Sequence, residues 1–374
     1  MVVSIASVRS LIPHKSKPVL YCYPLWKRIS FSVISEIHIE ELKKHLWIET
    51  IDENALPIVY LMSNPVIVLH PYFYPMQKYE RQLAVRFQRA RAVIGIDVAD
   101  SDHITEYAVR LTEYASAMVV PSTYAKNTYV SSGVRKPVHV VPHGVYQYWI
   151  DSPRCMPLTF KPIANLKDRM GYKAIMSWIT HSPYRKGLDI LIQLYNRLVD
   201  EYRNVMLILR VGEGVGYFLT KTRFKRGDIK PYFDGFIEEK WLSEEEKMEL
   251  FDMVDMFVLS SRGGGFEHPA LEALTRLTPV IASDKGSWTD YLPSWSLVES
   301  RRSGQVLAGN PIHDGYGYEM IIEKAVDRAI EVLNNLDRYR EKTRQHVTHV
   351  IKPCFTWEHI GKQLKNVIQK YMEG

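Results

Sequence analysis

The sequence predicts an α/β protein built of two doubly wound domains. Short continuous apolar runs alternate with helix-length amphipathic stretches along the chain. The runs are rich in β-branched residues, which suits strands buried on both faces of a parallel sheet. A length of 374 residues exceeds one ordinary core and suits two. Strand, helix, strand, repeated in two blocks, is the order that lays helices over both faces of a parallel sheet.

In the first block the runs fall at 18–24, 66–70, 92–98, 117–121 and 138–142; in the second at 174–180, 205–211, 256–260 and 279–283. Between them Leu188, Leu191, Ile192, Tyr195 and Leu198 recur at helical spacing as one apolar stripe. Pro153, Pro157 and Pro162 crowd the stretch 151–168, which has neither periodicity and reads as a linker. The expected domains are therefore 1–155 and 156–354, followed by a terminal segment at 355–374. That segment reads as a helix over 355–371, capped by Thr356, with Trp357, Ile360, Leu364, Val367, Ile368 and Tyr371 on its apolar face.

Composition bounds the function. With 46% hydrophobic and 24% charged residues the chain is globular rather than disordered. The 48 basic residues exceed the 42 acidic ones, a net charge of +6 that favours a polyanionic neighbour without choosing among pyrophosphate, anionic lipid and nucleic acid. Cys22, Cys155 and Cys354 are scattered without metal-ligand spacing, so a reduced, intracellular protein is expected. Pro13, His14 and Lys15 interrupt any apolar core near the N-terminus, and no run of about 20 apolar residues occurs. A cytoplasmic protein is the expectation, with peripheral contact at an inner membrane surface left open.

Two stretches can carry chemistry. In the first, 260–274, a buried run ends, Gly263, Gly264 and Gly265 follow, and Pro269 sits where a helix should start. Glycines before a helix let a ligand approach the backbone and present N–H groups to an anion. Glu272, one turn into that helix, can accept two ribose hydroxyls; a flexible turn with a solvated glutamate is the competing reading. The second stretch, 180–188, lies between a buried run and an amphipathic helix. Its Arg185 and Lys186 oppose the helix macrodipole and so need another reason to be there, which a pyrophosphate would supply. A basic loop on a solvated face is the alternative.

Together these residues resemble the retaining glycosyltransferases of family 4. Gly265, Phe266, Pro269, Glu272 and Ala273, then Pro279, Val280, Ile281, Ala282 and Ser283, follow the family's Glu-Gly-Phe-Gly-x-Pro-x-x-Glu and Gly-x-Pro-Val-Ile-Ala-Ser patterns in order and spacing. Lys186-Gly187 matches its Lys-Gly, Val140-Val141-Pro142-His143-Gly144-Val145 echoes the end of its first domain, and Phe355-Thr356-Trp357-Glu358 its closing helix. The resemblance implies a GT-B fold: two facing Rossmann-like, doubly wound domains with a C-terminal helix crossing back. It implies transfer of a sugar from a nucleoside-diphosphate sugar to a hydroxyl acceptor on a glycan, lipid or protein. No cofactor, no metal and no nucleic acid are expected. The donor contacts it implies are His181, Arg185, Lys186, Gly263, Gly264, Gly265, Phe266, Glu267 and Glu272.

The chain departs from the pattern in places that matter. Gly264 stands where the family has a glutamate that touches the donor sugar, and Glu267 stands where it has a glycine. Sugar recognition then differs or shifts to Glu267. His181 replaces the family's arginine, and Arg185 is the candidate to compensate. These departures motivate the alternative of an inactive nucleotide-sugar-binding homologue. In the first domain, Pro24, Leu25, Trp26, Lys27, Arg28 and Ile29 replace a Gly-rich loop, so the acceptor side does not transfer by motif. Asp100 and His103 follow the run 92–98 and join Lys186 as candidates for the reaction centre, with helix capping as the competing reading. Lys221, Arg223, Lys225, Arg226 and Lys230 form a basic patch read first as solvated surface and second as an acceptor or membrane contact.

Overall fold

The computed structural model describes residues 18–61, 64–202, 204–212, 215, 232–233 and 241–373. The N-terminal stretch around Pro13 and the basic patch from Lys221 to Lys230 lie outside the described residues.

The first half builds β1 (Val19–Tyr23), β2 (Ile48–Asp52), β3 (Val66–Leu69), β4 (Ala92–Ile96), β5 (Ala117–Val120) and β6 (Val138–Val140). These form one sheet in the order β2-β1-β3-β4-β5-β6, with every pairing parallel. The second half builds β7 (Lys173–Ile179), β8 (Val205–Val211), β9 (Tyr232–Phe233), β10 (Met256–Leu259), β11 (Val280–Ser283) and β12 (Leu297–Val298). Its order is β12-β11-β10-β7-β8-β9, again parallel throughout. Central strands such as β3 and β10 are buried along their whole length, which is why their sequences run apolar without alternation. Three strands of these sheets escaped the sequence reading. The edge strand β2 buries only Ile48 fully, and β9 and β12 have two residues each, so none presents an apolar run.

Each sheet has an apolar layer on both faces. The helix Leu188–Glu201 buries Leu188, Leu191, Tyr195 and Leu198 against the second sheet. Burial of each such side chain contributes about 1.5–3 kcal/mol. The terminal helix Trp357–Glu373 packs on the helix Ser30–Lys43 and places Trp357, Ile360, Leu364 and Ile368 in the core of the first sheet. Val145 and Thr356 form a parallel bridge where the chain crosses back, fixed by the Val145 N–H to Phe355 carbonyl and Trp357 N–H to Val145 carbonyl bonds.

The expected linker at 151–168 is partly helical. The helix Lys161–Met170 carries Pro162 in its first turn and ends on left-handed Gly171. Proline breaks a helix interior but suits its start, so the same residue that argued for a loop begins the element.

One further element joins the halves. The antiparallel hairpin β13 (Ser300–Gln305) and β14 (Tyr316–Met320) reaches from the second half to the loop after β4. The Asp102 N–H donates to the Tyr316 carbonyl at 2.9 Å, and the Thr105 N–H to the Ile312 carbonyl at 2.9 Å. Arg302 pairs with Asp102 at 3.0 Å, and Ile104 bridges His313.

Candidate active site

In the second sheet β8 and β9 lie to one side of β7, while β10 to β12 lie to the other. The order reverses between β7 and β10, and ligands of such sheets bind outside the carboxyl ends of the strands flanking that reversal. The segment leaving β7 carries His181, Arg185 and Lys186, and the segment leaving β10 carries residues 260–267. Gly187 holds the first segment against the second. Its φ is +67°, and a Cβ there would meet the Ser260 carbonyl oxygen at 2.0 Å, so only glycine fits.

Arg185 is buried and converges with both halves. It donates to Asp100 at 3.2 Å, to the Gly263 carbonyl at 3.0 Å and to His181 Nε2 at 2.9 Å, while its own Nε has no partner among the described residues. Burial alone would raise the Asp100 carboxyl, but Arg185, His313, Lys186 and His181 around it hold it below its ordinary value. Part of His181 faces solvent, yet it is pushed down to about 4, by desolvation first and then by Arg185 and Lys186. It is therefore a neutral acceptor for the guanidinium.

Lys186 points both ways in charge. Burial lowers its ammonium, as does Arg185, while Glu267 opposes them through bonds of 2.7 Å to both carboxylate oxygens. Glu267 sits at the start of the helix His268–Thr275 with φ +64°, a left-handed conformation that favours glycine. Its carboxylate lies over Gly264: a Cβ on Gly264 would meet Glu267 Oε1 at 2.0 Å. Tyr291 donates to the Phe266 and Glu267 carbonyls at 3.0 and 2.7 Å, holding the bend in place.

The three glycines serve a purpose other than the one expected. Besides Glu267 over Gly264, the Asp100 carbonyl oxygen would be 2.1 Å from a Cβ on Gly263, and a Val98 methyl 2.5 Å from one on Gly265. Their Cα faces are covered by protein, so Gly263 and Gly265 permit close approach of the two halves and Gly264 makes room for the Glu267 carboxylate. The N–H groups of Gly263, Gly264, Gly265 and Phe266 find no acceptor among the described residues. The Phe266 ring also departs from expectation. It packs in the core against Tyr291 and His143, each at 5.0 Å, which leaves only its backbone for a ligand.

Glu272 is buried and paired with Lys247 at 2.8 Å, with His268 Nδ1 3.6 Å away. Burial would raise its carboxyl, but Lys247 and His268 hold it below the ordinary value. Asp100 and His103 cap no helix, since Thr105 caps Glu106–Thr112. His103 pairs at 2.7 Å with Asp314 on the hairpin loop. Among the described residues, no group of three or more histidine, cysteine or acidic side chains is arranged to hold a metal ion, and no helix is long and apolar enough to cross a membrane.

Residues 173–308 match the family model described as Glycosyl transferases group 1. Uncharacterized protein 356 of Sulfolobus islandicus rod-shaped virus 1 is 29% identical over 95% of this chain and 99% of its own length. Putative glycosyltransferase 45 of a Sulfolobus islandicus filamentous virus is 21% identical over 74% of this chain and 73% of its own. Among solved structures, the E. coli trehalose-6-phosphate protein bound with UDP-2-fluoro glucose superposes with a TM-score of 0.68 at 10% identity, over 95% of this chain and 99% of that one. The chain carries a glycosyltransferase domain on a GT-B fold.

In this GT-B enzyme several residues that organise the site went unread in the sequence. Arg262 is one: it grips Asp189 with two bonds of 2.7 and 2.6 Å, Glu319 at 2.8 Å and the Tyr184 carbonyl at 2.6 Å, and lies 4.1 Å over the Tyr184 ring. It locks the segment after β10 to the helix Leu188–Glu201 and to β14. Lys247, which pairs with Glu272, is another. A group of histidines, His38, His70, His143 and His268, gathers around Trp357 and Phe266, with Tyr21 sharing His38 and His70 at 3.0 and 3.2 Å. No local pattern signals any of these, because their partners are brought together only by the topology.

Proposed function

We propose that this glycosyltransferase moves a sugar from a nucleoside-diphosphate sugar to a hydroxyl acceptor, with retention at the anomeric carbon and without a metal. The observation that carries the reading is the pair Arg185 and Lys186 at the sheet's reversal point, opposite a loop whose backbone N–H groups have no acceptor among the described residues. That is a receptor for a diphosphate. The leaving diphosphate takes the electron pair of the breaking anomeric C–O bond, and the two cations stabilise the charge that a metal stabilises elsewhere. The acceptor oxygen bonds to the anomeric carbon on the same face, and its proton passes to the departing phosphate oxygen. No protein nucleophile is required; the protein's work is positioning and charge stabilisation. Retention and membership of family 4 rest on the motif resemblance. The three free cysteines fit a cytoplasmic setting.

Sugar recognition falls to Glu267. A non-glycine residue held at positive φ costs on the order of 1–3 kcal/mol, and such strain gathers at functional sites. Here the strained residue stands where the family has glycine, and its carboxylate fills the space over Gly264, where the family's glutamate would project. The carboxylate is supplied from a different backbone position. Arg185, bonded to His181, compensates in the same way for the missing arginine.

The second reading, a nucleotide-sugar-binding homologue without turnover, draws on the same ion pairs, which already neutralise Lys186 and Arg185. A thermal-shift screen of nucleoside diphosphates and their sugars selects the donor, because ligands that bind only the folded state raise its melting temperature. Donor hydrolysis or transfer is then measured. Turnover supports the enzyme, binding without any turnover supports the homologue, and no stabilisation by any nucleotide refutes both.

A further inference from the structure

We propose that the loop 24–29 and Glu53 form an acceptor subsite for a sugar ring, which stacks on Trp26 and donates hydroxyl hydrogens to Glu53. The proposal rests on the glycosyltransferase reading and adds to it the chemical class of the acceptor. The first sheet has its own reversal, since β2 lies on one side of β1 and β3 on the other. The crevice outside these carboxyl ends is the ligand position of such a sheet. The loop 24–29 leaves β1 there, and Glu53 is the first residue beyond β2.

Trp26 is 59% exposed yet fixed in orientation, because its Nε1 donates to Glu53 Oε1 at 3.0 Å. The Leu25 N–H donates to Asp52 at 2.9 Å and pins the loop beside it. Glu53 is only 2% exposed, and its second oxygen, Oε2, is buried without a hydrogen-bond partner among the described residues. A buried acceptor left unmet is unfavourable, and hydroxyl donors are what it lacks. Burial pushes this carboxyl above its ordinary value, with the Trp26 bond opposing. Across the cleft, the Arg28 guanidinium lies 5.5 Å from the ring centroid of Trp241, just before the helix Glu244–Met253 that sends Lys247 to Glu272. The loop thus spans from the first sheet to the donor half.

An immobilised aromatic face beside a buried, half-satisfied carboxylate suits a ligand with an apolar C–H face and a rim of hydroxyls. A sugar ring has both.

The test is saturation-transfer NMR on the full chain, using methyl glycosides of glucose, galactose, mannose and N-acetylglucosamine at millimolar concentration. Spectra are taken with and without the nucleoside diphosphate chosen by thermal shift, so a missing nucleotide signal counts against the donor site alone. At least one glycoside should bind. Trp26→Ala should weaken it about tenfold, Trp26→Phe should retain most of the affinity, and Glu53→Gln should weaken it severalfold while still accepting from Trp26. Nucleotide affinity should stay unchanged in Trp26→Ala, whereas its melting temperature should fall, because the buried Glu53 loses the indole donor. Absence of glycoside binding, or equal binding by Trp26→Ala, overturns the proposal. So does Trp26-dependent sedimentation with phosphatidylserine vesicles in place of glycoside binding, which would make the loop a membrane contact.

Discussion

Replacing Glu267 by glutamine removes one charge and almost no volume. In the structure both carboxylate oxygens lie 2.7 Å from Lys186 Nζ, and the side chains are 3% and 14% exposed. Breaking one partner of a buried pair costs about 3–5 kcal/mol, because the other charge is left uncompensated. At roughly 2–4 °C per kcal/mol for domains of this size, the melting temperature should fall on the order of 10 °C. A bound diphosphate no longer competes with the carboxylate for Lys186, so nucleoside-diphosphate affinity should hold or improve. The nucleotide sugar should instead lose its charge-assisted hydrogen bonds, about 1.5–3 kcal/mol or roughly ten- to a hundredfold relative to the diphosphate. Glu267→Gly removes the same charge and relieves the left-handed backbone, so it should be more stable than Glu267→Gln by about 1–2 kcal/mol. Differential scanning fluorimetry and titration calorimetry with both ligands read all of this. An unchanged melting temperature refutes the ion pair as a determinant of stability. A lower melting temperature with an unchanged ratio of the two affinities refutes sugar recognition by Glu267.

Lys186→Met should weaken binding of the nucleoside diphosphate far more than of the nucleoside, and equal losses in calorimetry would mean that Lys186 acts through structure. Glu272→Ala strips Lys247 of its buried partner but leaves it paired with Glu244 at 2.7 Å, so stability should fall by less than the ~3–5 kcal/mol of a fully orphaned charge. Glu272→Gln is therefore the cleaner probe of ribose binding, and unchanged nucleotide affinity in it would reject that role. Burial pushes His38 down to about 4 and holds His70 and His143 well below their ordinary value. These rings are neutral in the fold and titrate near 6.5 when unfolded. Their stabilisation is thus complete above about pH 6.5 and declines as pH falls toward 4, by about 1.4 kcal/mol per pH unit for each histidine. Melting curves across that window should steepen accordingly and flatten in His38→Gln; equal slopes would refute the assignment. Transfer activity should persist in excess chelator, and full loss restored by magnesium would reject charge stabilisation by Arg185 and Lys186 alone.

What the sequence made legible is what local pattern encodes. Pro269 and Lys186-Gly187 were read at helix starts, and the helices begin at His268 and Leu188. The long apolar runs became central strands because both faces of those strands are buried. The role of Gly263 and Gly265 was hidden for a physical reason: the atoms that demand them, the Asp100 carbonyl and the Val98 side chain, lie in the other half of the chain. Glycine in sequence says that something approaches closely, without saying whether it is ligand or protein. The Glu272–Lys247 pair and the histidine group were illegible for the same reason, as their members meet only across elements. The edge strand β2 was missed because an edge buries too little to impose a pattern.

The returning helix Trp357–Glu373 has a consequence for synthesis. The six strands of the first sheet are complete once Val140 has been made, but one face of their core awaits Trp357, Ile360, Leu364 and Ile368. The helix Ser30–Lys43 covers part of that face, and at ribosomal rates of about 5–20 residues per second the rest stays uncovered for roughly 10–40 s. The half that leaves the ribosome first is therefore finished last. Its exposed apolar surface makes the nascent chain dependent on whatever shields it in that interval, and a truncation of the final helix should be read first as a folding defect and only then as a loss of activity.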